Sequence, residues 1–188
     1  MTSLIILMIA SAHAGDCANT TASSNADLSS VIAAGMHAFS EMEDALLTSA
    51  LADAPTFLAC LGEPIEPRVA AAYFRLQAIE AFMADDLWLA RRTFLAAHRL
   101  DPAFELPTSI VPPGHALREP WNSSLLLEIP NGQRVDSAEG DAYVDGSSVG
   151  LHAPNLPMIL QVVVEGEITG TQYIPPRPDA REEEVSDG

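Results

Sequence analysis

The stretch PRVAAAYFRLQAIEAFMADDLWLARRTFLAAHRLDP, residues 67–102, decides the fold. Val69, Ala72, Leu76, Ile79 and Met83 fall at i, i+3, i+7, i+10 and i+14, one stripe of an α-helix. Tyr73, Phe74, Ala81 and Phe82 add a second apolar side, so this helix is expected to pack on more than one face. Pro67 suits the first helical turn, where the missing N–H has no intrahelical partner to lose. Ala84-Asp85-Asp86 reads as a tight turn with cap chemistry. Leu87, Ala90, Phe94 and Ala97 then repeat the period in a partner helix that Asp101-Pro102 ends.

These residues carry a resemblance. Ala90, Phe94, Ala97 and the ending Arg99-Leu100-Asp101-Pro102 resemble the second helix and closing proline of a tetratricopeptide repeat. Phe74 and Ala78 sit where the first helix of such a repeat takes a large and a small residue. Small alanines let paired helices approach, phenylalanine fills the gap and proline stops the second helix. The resemblance implies a helical module that presents a groove to a peptide or protein partner.

Upstream, Asp27 is read as the N-cap of a helix with the stripe Leu28, Val31, Ile32, Gly35, Met36 and Phe39. Leu46, Leu47, Ala50 and Leu51 mark a second helix, with Pro55 bounding it or opening a short turn through Phe57, Leu58 and Leu61. Gly62 to Pro67 is a break. Residues 27–107 are thus expected to form the helical domain. Before it, Leu4 to Ala10 is a short apolar core and Ala12-His13-Ala14 a small-x-small cleavage pattern, so residues 1–14 read as a secretion signal. The run lacks the positive flank of such signals; a start upstream, or a buried N-terminal helix, is the other reading. Residues 15–26 form a polar leader. Cys17 and Cys60 either pair in an oxidising compartment or stand as two thiols.

Downstream, residues 108–120 read as a proline-rich linker, after which the period changes from 3.6 to 2. Leu125 to Ile129, Ala142 to Val144, Met158 to Val164 and Glu167 to Ile174 are expected strands, with Asn131-Gly132 as a hairpin-type turn. Glu139-Gly140-Asp141-Ala142-Tyr143-Val144-Asp145-Gly146 resembles the core of PEGA domains, small extracytoplasmic β modules of bacterial envelope proteins. Ala138 stands at that motif's initial proline, and its closing Gly-Tyr is absent. The resemblance implies a small β domain over 121–174, then an acidic tail over 175–188 expected to be disordered. The fold class is α+β, with repeat-like helical hairpins preceding a small antiparallel β-sandwich-like module.

Charge narrows the function. The chain has no lysine, nine arginines and 26 acids, a formal net charge of −17. Residues 1–66 carry eight acids and no base, whereas 67–107 carry five of each and are neutral. Such a field repels phosphate backbones and anionic lipids, which excludes nucleic acid as a partner. Beyond the signal no apolar run reaches transmembrane length. No nucleophile elbow, zincin motif, Walker loop or dinucleotide fingerprint occurs, so no catalytic residue, metal ligand or cofactor is assigned. His98, Asp101 and His115, and the acids Asp136, Glu139, Asp141 and Asp145, are of the types that ligate cations; solvent-facing and helix-end roles account for them better.

The neutral hairpin offers Tyr73, Gln77, Trp88, Arg91 and Arg92 as candidate partner-binding residues. The two adjacent bases could meet a partner carboxylate, or be neutralised within the chain by Asp85, Asp86 or the acidic N-terminal helices. The expectation is a non-catalytic periplasmic or envelope adapter in a Gram-negative bacterium that binds another envelope protein or peptide. The alternative is a peptidoglycan- or polysaccharide-binding module acting through the β domain, with Trp121 at its start.

Overall fold

The computed structural model describes residues 17, 22–128 and 131–177. The secretion signal at 1–14 and the tail beyond 177 lie outside the described residues. Among the described residues, five helices precede two small antiparallel sheets, an α+β architecture. The helices are α1 (Asn25–Glu41), α2 (Asp44–Ala59), α3 (Pro67–Met83), α4 (Leu87–Leu100) and α5 (Arg118–Ser124). The strands are β1 (Gln133–Arg134), β2 (Asp141–Val144), β3 (Leu151–His152), β4 (Met158–Val164) and β5 (Glu167–Ile174). β2, β4 and β5 form one sheet in that order, and β1 pairs with β3. Among the described residues no helix is long and apolar enough to cross a membrane.

The α3–α4 hairpin has the expected bounds. Pro67 opens α3, and the Asp86 carboxylate accepts from the Leu89 N–H at 3.0 Å to cap α4. α1 differs by one turn: Ser24 is its N-cap, and Asp27 is the third residue of a reciprocal capping box rather than the cap. Pro55 lies inside α2 instead of bounding it. It is exposed there, and packing of Leu47, Ala50, Ala54 and Leu58 holds the helix through the missing hydrogen bond.

Two β expectations are corrected. Leu125 to Leu127 form turns that close α5, with Leu125 and Leu126 58% and 84% exposed, so the expected first strand does not begin there. Three leucines in a row have no alternation, and Ser124 donating to the Trp121 carbonyl at 2.7 Å continues the helical path. Nor does Asn131-Gly132 close a hairpin between neighbouring strands, because β1 pairs with β3. β4 and β5 have the bounds the period predicted.

The helical and β parts share a core. Ile159 of β4 is fully buried in the same cluster as Leu28, Leu58, Phe74 and Leu76, and Tyr173 of β5 packs against it. The break at 62–67 is the join. Asn25 at the start of α1 donates to Glu63 and to the Pro64 carbonyl and accepts from the Glu66 N–H at 2.9 Å. From the other side the buried Gln161 of β4 accepts from the Ile65 N–H at 2.8 Å and donates to the Glu63 carbonyl at 3.1 Å. Buried backbone groups left unpaired cost roughly 1–3 kcal/mol each, so this one glutamine fixes how the sheet meets the helices. Gly146, at φ 83, brings the β2 turn directly onto the Ile65 carbonyl.

Cys17 and Cys60 are joined in a disulfide, which resolves the two readings of that pair. Beside it Ser23 donates its N–H to the Cys60 carbonyl and accepts from the Gly62 N–H, both at 3.0 Å. The polar leader is thus tied to the end of α2.

Candidate functional site

The proline-rich stretch after α4 packs as a wall. Val111 and Leu117 are fully buried against Ala78, Ile79, Phe94 and Trp121. Arg118 clamps it, its guanidinium donating to the carbonyls of Leu106, Val111 and Pro112. Helix α5 starts at this residue, inside the segment expected to carry no helix, and places Trp121 6% exposed against Phe94, His98 and Phe104. Trp121 therefore belongs to the helical core and not to the start of a β unit.

Between this wall and α1 lies an open groove of about 500 Å³. Its sides are Ile32, Ala33 and Met36 of α1 facing Pro107 and Ile110 of the wall, and Ala72 and Arg75 of α3 form the floor. Arg75 is 6% exposed. Its guanidinium lies 3.7 Å over the Phe104 ring, and its Nη1 is 3.4 Å from the Asp101 carboxylate. Burial lowers its pKa from the ordinary arginine value, against the pull of Asp101 in the other direction. His98, also lowered by burial, packs at a tilt on Trp121 with ring centroids 4.0 Å apart. The chemistry on offer is one buried, partly paired cation in a mostly apolar trough that His37 and Glu41 also border.

The residues singled out from the sequence lie elsewhere. Tyr73 is 1% exposed and packs on Tyr173 at 5.7 Å, its hydroxyl pKa raised by burial. Gln77 is half-buried on the same face of α3. Residues 72 and 75 share one helix face whereas 73 and 77 share the next, so Arg75 meets the groove while Tyr73 meets the sheet. Arg92 is 5% exposed, its guanidinium 5.9 Å from the Trp88 ring centre. Arg91 lies 3.6 Å from Glu119 of α5, an intramolecular pairing with a different acid from those expected. None of the five lines the groove. The signal that marks it was present in the sequence: Arg75 is the single charge between Val69 and Ile79, in the middle of its helix.

Among the described residues no three His, Cys, Asp or Glu side chains are placed to hold a metal ion. Asp145, weighed as a cation ligand, accepts from the Ile159 N–H at 2.7 Å. It borders a second cleft, about 310 Å³, with Arg99, Val144 and Leu151. Burial pushes its carboxyl up to about 7, opposed by the Ile159 hydrogen bond and Arg99. Nearby His152 is pushed down to about 4 by burial and by Arg99 and Arg177.

The two shifts act oppositely on stability. A raised carboxyl pKa contributes stability below pH 4 that is lost as pH rises to 7. A depressed histidine pKa contributes stability above pH 6.5 that is lost as pH falls to 4. The wild-type profile is therefore expected to be shallow. Asp145→Asn, which keeps the acceptor for Ile159, should gain about 2 kcal/mol on wild type between pH 4 and pH 7, after discounting for the partly solvated carboxyl. Urea unfolding at several pH values measures it; parallel profiles would refute the carboxyl's role.

No protein-family model matches this chain, and no curated protein or solved structure matches it.

Proposed function

We propose that the chain is a non-catalytic, exported interaction protein of a bacterial cell envelope, an adapter that engages its partner through the groove of the helical part. The observation that carries this reading is the trough between α1 and the 104–110 wall: open, mostly apolar, floored by a buried guanidinium and bordered by Ser29, His37, Ser40, Glu41 and Ser109. Such a surface suits recognition, since apolar walls supply affinity and one charge supplies orientation. Export is supported by the apolar run at 4–10, its Ala12-His13-Ala14 ending and the Cys17–Cys60 disulfide, a bond typical of oxidising compartments such as the periplasm. The net charge of −17 argues against nucleic acid and anionic membrane surfaces as partners. A polysaccharide reading through the β part has less support, because Trp121 packs inside the helical core.

The test fills the groove. Ala33 is exposed on its wall, so Ala33→Trp adds bulk there without disturbing the core. Quantitative affinity capture from an envelope fraction should recover a partner with the wild type and lose it with Ala33→Trp. The same partners at the same yield with both proteins would sink the adapter reading.

A further inference from the structure

The charge on the groove floor specifies what the groove takes. A guanidinium offers five N–H donors in a planar fork. Among the described residues Arg75 makes one ion pair, from Nη1 to Asp101, and stacks its plane on Phe104. Arg75 lines the groove, and among the described residues its guanidinium makes no hydrogen bond beyond the one to Asp101. A cation held in this state gains from an anion that arrives with its own apolar cover.

We propose that the groove binds an aliphatic monocarboxylate of the fatty-acid type, with its head group on Arg75 and its chain along Ile32, Met36 and Ile110. The inference rests on the groove being a binding surface and goes further in naming the ligand. A monoanion matches a single guanidinium already half-neutralised by Asp101. A phosphate, with nearly twice the charge, would be under-compensated in a chain of net charge −17. A hydrocarbon chain asks nothing of the walls, whereas an extended peptide, unlike a partner helix whose backbone groups pair internally, brings an N–H and a C=O at each residue that need partners. The walls supply few such groups, namely the His37 ring, Glu41 and the hydroxyls of Ser29, Ser40 and Ser109, of which Ser40 already donates to the His37 carbonyl at 2.7 Å. Glu41 also borders the groove but does not meet the head group. Gly35 sits level with Leu76, beside Arg75, and Glu41 is six residues on, about 9 Å along the axis.

Calorimetric titration of the full chain with laurate, below its micelle concentration, tests the proposal. Saturable one-to-one binding is expected, weakened at least tenfold in Arg75→Gln, kept within a few-fold in Arg75→Lys, and abolished in Ala33→Trp. Dodecanol, which lacks the charge, should bind more weakly and equally to wild type and Arg75→Gln. Ala33→Trp covers the case in which Arg75→Gln fails to fold, because it leaves the Asp101 pair intact. The proposal is overturned if neither laurate nor palmitate saturates, if Arg75→Gln binds laurate like the wild type, or if an apolar peptide competes where laurate does not. In those cases the adapter reading survives wherever Ala33→Trp still loses its captured partner. If laurate binds as expected and partner capture is indifferent to Ala33→Trp, the adapter reading fails and this one stands.

Discussion

Replacing Gly146 with alanine is expected to cost about 4 kcal/mol of folding stability and lower Tm by roughly 10 °C. Two effects add. The residue has φ 83, where an L side chain crowds its own backbone. A Cβ there would also run into the Ile65 carbonyl oxygen, which cannot swing away because Gln161 and Asn25 fix the backbone around it, with Pro67 Cδ 3.3 Å off on the other side. Gly166→Ala separates the terms: at φ 90 it has nothing within 4 Å, so it pays only the backbone cost, about 1 kcal/mol. Urea unfolding of both variants is the measurement. Equal losses would mean that the contact between the β2 turn and the 62–67 segment is not tight.

The second large effect concerns the covalent tie. Cys17 and Cys60 close a loop of 43 residues, for which chain-entropy arguments give about 4 kcal/mol. The Ser23 hydrogen bonds to Cys60 and Gly62 persist without the disulfide and retain part of that order, so a loss of about 3 kcal/mol is expected on reduction or in Cys17→Ser/Cys60→Ser. Mass spectrometry of the unreduced protein should find no alkylatable thiol. Free thiols, or an unchanged urea midpoint after reduction, would refute the tie.

What the sequence made legible follows from periodicity. α3, α4, β4 and β5 have long, regular apolar patterns, and their bounds emerge within a residue or so. What it hid depends on contacts between distant segments. Gly62 to Pro67 reads as punctuation, yet Asn25 and Gln161 make it the join of helices and sheet, and the Gln161–Glu63 bond spans 98 residues. Three prolines and a glycine between 107 and 114 suggest a free connector, but Arg118 gathers its carbonyls into a wall. Aromatic and basic residues of the hairpin attract attention as partner contacts, and Tyr73 is in fact spent on packing against Tyr173. Arg75 is the single charge of its stretch of α3, but only the approach of Phe104 and α1 makes it the floor of a groove.

The shared core also bears on how such a chain can be inherited. A proline-rich stretch between a helical half and a strand-rich half looks like a place where recombination could join ready-made units. Here a crossover at 108–120 would separate Trp121 from Phe94 and Phe104, and Ile159 and Tyr173 from the helices they complete. Each product would expose half a core, and a chimera that replaced the β half would need a donor able to repeat the grip of Gln161 on residues 63–65. Variation is therefore expected to pass through point changes that spare the shared core, with the two halves transmitted as one.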